Sequence, residues 1–274
     1  MALSFGFWCV YRRSLREPAA AVRLAALLTD ERWPWQPCLV RPTQVPGREL
    51  YAWPSGRLRG TVLRERIVDL ALSDRVIAVY LQTSRQDRLN HALVHVHTGH
   101  EWAFEKDQAF PLRAAAICRL DGMPRGKTID GWLEVMHELA QLVEAANGVI
   151  WAGHDERPML SLQFGTGSHR PDKPVDHPYN EGWRVTRARA TLGSQWVRPP
   201  QWGTYLSAQH VAAIGGLERL RAAVDPPIVR DLGGRFYVQL SAASEDAVGP
   251  EAERRRRALT ELLAPITVPL IEAA

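Results

Sequence analysis

The chain is short of cysteine and of long apolar runs, and each shortage removes a class of protein. Cys9, Cys38 and Cys118 are odd in number and far apart in 274 residues. They supply neither a disulfide framework nor the paired-thiol spacing of a structural zinc site, and buried thiols are expected instead. No apolar stretch approaches the roughly 18 residues that a membrane-spanning helix needs. The opening MALSFGFWCVYRR carries its charges after its apolar run, the reverse of a secretory signal, so a cytoplasmic protein is expected. Internal repeats and low-complexity tracts are missing too.

What is present is an ordinary globular composition, 46% hydrophobic and 23% charged, which argues against disorder. The length suits one large domain or two small ones. A net charge of +4 and a pI near 9.2 would tolerate nucleic acid as a partner. The arginines are scattered among acids, however, and the dense run at 254–257 falls on a helical pattern. Direct nucleic-acid binding is therefore the weaker expectation.

Strand and helix signals alternate along the chain. LSFGFWCVY (3–11) reads as a strand, followed by a helix in EPAAAVRLAALLTDE with Pro18 in its first turn. Residues 33–60 hold five prolines and three tryptophans, which suggests an ordered loop pinned by aromatic side chains. RVIAVYLQT, HALVHVHT and RAAAICRL have strand character. Residues 128–147 place Ile129, Trp132, Leu133, Met136, Leu139, Ala140 and Val143 on one helical face, with Thr128 as N-cap and Asn147-Gly148 as the stop. GVIWAG returns as a strand, and GTGSHRPDKPVDHPYNEG reads as a boundary or a functional loop. Later come a helix interrupted by Gly215 and Gly216, two strands around a Gly-Gly turn with Phe236, Val238 and Leu240 alternating, and a last helix broken by Pro265. The expected fold is α+β, a mixed and largely antiparallel sheet with packed helices in two lobes: 1–164, a linker or functional loop at 165–182, and 183–274.

HALVHVHTGH (91–100) holds four of the nine histidines. Alternation puts His91, Leu93, His95 and His97 on one face and Ala92, Val94, Val96 and Thr98 on the other. His95 and His97 then point the same way, as two metal ligands on a strand do, but zinc needs at least one more. A solvent-facing or interface-facing strand face is the favoured reading. A metal-dependent hydrolase using His95 and His97 is the alternative, as is a basic nucleic-acid-binding protein.

Other chemical signatures fail on spacing. DGMPRGKT (121–128) sits where a phosphate-cradling loop would, yet Gly122 and Gly126 are one residue too close and Pro124 removes an N–H. A turn and helix cap fit better. No G-x-S-x-G elbow occurs, and Ser168 beside His169 is mere adjacency. Asp130, Glu134, His137 and Glu138 are helical neighbours that fit a solvated face better than a ligand cluster. No catalytic residue, metal or cofactor is expected.

The ten tryptophans, several beside Pro, Gly or charge as in WPWQP, YAWPSG, NEGWRV and RPPQWGTY, suggest anchors on rigid loops. Most belong in the core, and a surface minority would suit a protein-binding face. Three segments carry a resemblance: FGFWCVYRRSLREPAAAVRLAALL, VIAVYLQTSRQDRLNHALVHVHTG, and QWGTYLSAQHVAAIGGLERLRAAVDPPIVRDLGGRFYVQLS. Their apolar patterns and Trp and Gly landmarks resemble the bacterial immunity proteins that neutralise polymorphic toxins, in particular the immunity protein 52 family linked to type VI secretion. The resemblance implies a non-enzymatic cytoplasmic inhibitor whose partner is a toxin, often a nuclease with a restriction-endonuclease-like domain. The basic charge argues against whole-surface mimicry of nucleic acid. Local acids, Glu101, Glu105, Asp107, Asp155 and Glu156, could meet a basic toxin surface. Glu101 with Trp102, and the boundary loop with His169, Arg170, Tyr179 and Trp183, are the candidate contact sites.

Overall fold

The computed structural model describes residues 3–11, 13–34, 36–44, 57–82, 94–98, 112–119, 123–154 and 196–267. In chain order these form β1 (Ser4–Tyr11), α1 (Pro18–Leu28), β2 (Leu39–Gln44), α2 (Gly60–Leu72), β3 (Val76–Gln82), β4 (Val94–His97), β5 (Leu112–Arg119) and α3 (Ile129–Leu142). They continue with β6 (Asn147–Gly153), β7 (Gly203–Ser207), α4 (Ala208–Ala213), α5 (Leu217–Val224), β8 (Ile228–Asp231), β9 (Arg235–Gln239) and α6 (Pro250–Leu263). The fold is α+β, as the sequence pattern indicates.

The chain divides into two compact units, Tyr11–Glu144 and Leu3–Val10 with Ala145–Ala274. Backbone pairing explains the grouping of the first strand with the later residues. β1 runs antiparallel to β6 from Ser4 opposite Gly153 to Val10 opposite Asn147, and β6 runs antiparallel to β7. The tract at 165–182, expected as a linker, lies outside the described residues.

In the unit Tyr11–Glu144 the strand order is β2-β3-β4-β5, with antiparallel pairing throughout. Alternation sends Val79, Leu81, Val94, Val96, Ala114 and Ala116 to one face, all buried. α2 packs on β2 and β3, and α1 packs on α2 and α3. Burying each such Val or Leu contributes roughly 1.5–3 kcal/mol. The proline-rich stretch expected as loop contains β2. Pro42 sits inside it, and β2 ends the order, where a strand tolerates a residue that cannot donate. α2 occupies a stretch for which no helix is expected above, although Leu63, Ile67, Leu70 and Ala71 recur at helical spacing and are buried.

α3 begins as expected, with the Thr128 hydroxyl accepting from the Gly131 N–H at 3.1 Å. It ends earlier than the Asn147-Gly148 stop. Val143 is its C-cap, and Glu144 takes a positive φ of 55°, which reverses the chain. Asn147 and Gly148 instead open β6. Gly148 is required there, since a Cβ would lie 2.8 Å from the Trp8 carbonyl oxygen and from Cys9 Cβ.

In the other unit the order is β1-β6-β7-β9-β8, each neighbour antiparallel. Its core is aromatic: Phe5 meets the Trp202 ring edge-on at 5.1 Å, Phe7 meets Tyr205 at 5.9 Å, and Tyr205 meets Tyr237 at 4.9 Å, spacings at which ring pairs attract. The helical stretch breaks at Gly215 and Gly216, both with positive φ, giving α4 and α5. α4 packs on β7, and α5 packs on α6. Pro265 closes α6, and Ala264–Ile266 finish as a 3₁₀ turn.

Candidate functional site

The histidine strand supplies the first candidate. Register places Tyr80 opposite His95 and Ala78 opposite His97, with Ala115 flanking His95 on β5. The Tyr80 ring stacks on His95 at 4.2 Å and 7°, and His95 lies 4.8 Å from His97. His95 is 3% exposed, which corrects the solvent-facing alternative at this residue: the cross-strand phenol covers the imidazole. His97 is half-buried. His91 and His100 lie outside the described residues. Two imidazoles and a phenol thus sit in one row, a pair of donors to which a metal would add further ligands. Among the described residues no three His, Cys, Asp or Glu gather as a metal site.

A second polar cluster joins the turn after α1 to α3. Arg32 donates to both Asp30 carboxylate oxygens at 2.9 Å and to Glu138 at 2.6 Å. These bonds hold the Asp30 carboxyl below its ordinary range and raise the Arg32 guanidinium further. Lys127 donates to the Glu31 carbonyl. The phosphate-loop look-alike is therefore a turn, with Gly126 at φ 81° and Lys127 N–H donating to the Pro124 carbonyl. The expected solvated row on α3 is split as well. His137 is 4% exposed, while Asp130 is exposed and Glu138 is bound to Arg32.

In the unit built on β1 and β6 several buried polar groups are tied into the fold. Asn147, fully buried, donates its amide to the Tyr205 carbonyl at 2.8 Å and accepts from the Arg198 N–H at 3.0 Å. The Arg198 guanidinium, 0% exposed, lies 4.0 Å from the Trp8 ring centroid, a cation–π contact that is strongest when desolvated. Trp202 Nε1 donates to Ser241 at 2.7 Å, and Tyr237 donates to Gln239 at 2.9 Å. Sequence reasoning missed Tyr80, Asn147 and Arg198 as site-forming residues, because each acquires its role only from partners distant in sequence.

His210 closes a capping box with Ser207. Its N–H donates to the Ser207 hydroxyl at 3.2 Å and its Nδ1 accepts from the Ser207 N–H at 3.2 Å. Burial pushes its pKa from 6.5 down to about 4. The unfolded chain therefore takes up this proton at higher pH than the folded one. Stability falls as pH drops from about 6.5 to about 4, by on the order of 1 kcal/mol per unit. His210→Gln retains a capping side chain without titrating. We expect urea midpoints between pH 7 and pH 5 to fall less for the variant than for the wild type, and equal slopes would contradict the assignment.

The arginine run on α6 is paired locally. Arg254 bonds Glu251 at 2.7 Å, Arg255 bonds Glu251 at 3.2 Å, and Arg256 and Arg257 bond Glu253 at 2.8 and 3.2 Å. This pairing weakens the run as a phosphate-binding patch. Cys9, Cys38 and Cys118 are buried, and burial pushes the Cys118 thiol up to about 12, far from a reactive thiolate. No helix among the described residues is long and apolar enough to cross a membrane. The nominated contact residues Glu101, Trp102, Glu105, Asp155, Glu156, His169, Arg170, Tyr179 and Trp183 all lie outside the described residues.

No protein-family model matches the chain, and no curated protein matches it in sequence. Among solved structures, the fold is similar to that of Pseudomonas aeruginosa T6SS protein PA0821, with a TM-score of 0.59 and 13% identity. The likeness covers 97% of this chain and 73% of that one. It shows a shared fold.

Proposed function

We propose that the chain is a cytoplasmic, non-enzymatic immunity protein that binds and neutralises a cognate toxin, a nuclease effector of type VI secretion, by tight protein–protein association. The observation that carries this reading is the likeness in fold, along 97% of the chain, to a protein of the type VI secretion system. The resemblance to immunity proteins adds to it. Its last segment runs from β7 through α4, α5 and β8 to β9 within one compact unit.

Protection from a lethal enzyme calls for roughly nanomolar affinity and an interface on the order of 1,600 Å². A basic inhibitor of a nuclease would act beside the active site rather than by imitating nucleic acid. Co-expression is the test. A secreted protein encoded beside this gene should be lethal alone, harmless with this chain, and recovered with it through size exclusion. If no such neighbour is toxic alone and neutral in company, the reading fails.

A further inference from the structure

Three arginines gather where the unit Tyr11–Glu144 leads into α2. The chain reaches the helix through Arg59 in extended conformation, at φ −145° and ψ 159°. Leu58 is half-buried between Arg57 and Arg59, both exposed, and its N–H donates to the Cys38 carbonyl at 2.8 Å. An anchored residue thus separates two outward arginines. Arg64, exposed in the second turn of α2, is held at Nε, which donates to the Thr29 hydroxyl at 2.8 Å. Helical side chains lean toward the N-terminus, so Arg64 stands at the same end of the helix as Arg57 and Arg59.

Their charge is left without carboxylate partners. On α6 each arginine of the dense run bonds Glu251 or Glu253. Arg57 and Arg59, by contrast, make no ion pair or side-chain hydrogen bond among the described residues, Arg64 bonds Thr29 alone, and the first turn of α2 holds no acid. Val62 stands in that turn as one of the exposed large hydrophobic residues. Its presence separates two kinds of anionic partner. A phosphate backbone gives Val62 nothing to be buried against, and Glu65, exposed beside Arg64, repels it. A protein surface covers the apolar side chain and sets carboxylates against the arginines, the apolar centre and polar rim of an interface.

We propose that the start of α2 is a docking surface for an acidic patch of the protein partner, with carboxylates of that partner facing Arg57, Arg59 and Arg64 and an apolar side chain covering Val62. The proposal rests on the reading of the chain as a toxin-binding protein, and it adds the charge that the toxin presents. The probe is the toxin recovered by the co-expression described above, mixed with the full chain while association and dissociation rates are followed. Exposed charges at an interface act mainly on the association rate. The wild-type rate should fall as salt rises, and the double variant Arg57→Glu, Arg59→Glu should associate roughly tenfold more slowly at low salt. Arg57→Lys with Arg59→Lys keeps the charge and should associate as wild type does. Val62→Ser should speed dissociation roughly fivefold.

The salt dependence of the wild-type chain needs no variant to fold, and these exposed side chains should leave the melting temperature of the free chain unchanged. A wild-type rate indifferent to salt, or a charge-reversed chain that associates as fast as wild type, overturns the docking surface and leaves the immunity reading standing. Duplex DNA that binds the wild-type chain and not the charge-reversed one assigns the arginines to nucleic acid and overturns it as well. Recovery of no toxin at all overturns both readings.

Discussion

Trp33→Ala is expected to destabilise the unit Tyr11–Glu144 by about 3–5 kcal/mol, the usual cost of emptying a fully buried indole site. Trp33 is 0% exposed, and its Nε1 donates to the Leu27 carbonyl at 2.7 Å, so the ring both fills the core and closes the C-terminal end of α1. The segment that carries it is held in place from outside as well. Arg32 grips Asp30 and Glu138, and Thr29 accepts from Arg64 of α2 at 2.8 Å. Because those ion pairs are part-exposed, they contribute little individually, and the indole dominates. Trp33→Phe keeps most of the volume and loses the hydrogen bond, so its cost should be about 1–2 kcal/mol. Urea denaturation of the three proteins measures the difference, and a loss below about 1 kcal/mol for the alanine variant would contradict the packing described.

Asn147→Leu should cost the other unit about 2–4 kcal/mol for a different reason. The change keeps the branching of the side chain but leaves the Arg198 N–H and one bond to the Tyr205 carbonyl unmade in a buried setting, and stranded polar groups cost more than the bonds themselves contribute. Asn147 also stands at the first position of β6. Its loss should therefore loosen the backbone that places Arg198 over Trp8. The measurement is again urea denaturation, together with hydrogen exchange at the Arg198 amide, which should accelerate in the variant. An unchanged exchange rate would mean that the Asn147 side chain does not hold that segment.

Much of the secondary structure was legible because it obeys short-range rules. Thr128 caps α3, Gly215 and Gly216 divide two helices, and the Gly233-Gly234 pair turns a hairpin, each where the sequence pattern puts it. The errors have equally local causes. The prolines at 34–46 masked β2, whose place at the end of the strand order removes the demand that every residue donate. Asn147-Gly148 resembled a helix stop, whereas Glu144 reverses the chain three residues earlier at a left-handed φ that is unusual for its type.

The sequence by itself determined the fold class, through hydrophobic periods of two and of 3.6 residues, and it determined most helix and turn boundaries through capping and glycine chemistry. Only the tertiary structure decided what the polar residues do. Tyr80 covers His95, Arg32 ties the turn after α1 to α3, and Asn147 binds the backbone of β7. Each of these roles follows from register between strands or crossing of helices. A side chain's neighbours along the chain fix its direction, while its partners come from elements that are distant in sequence.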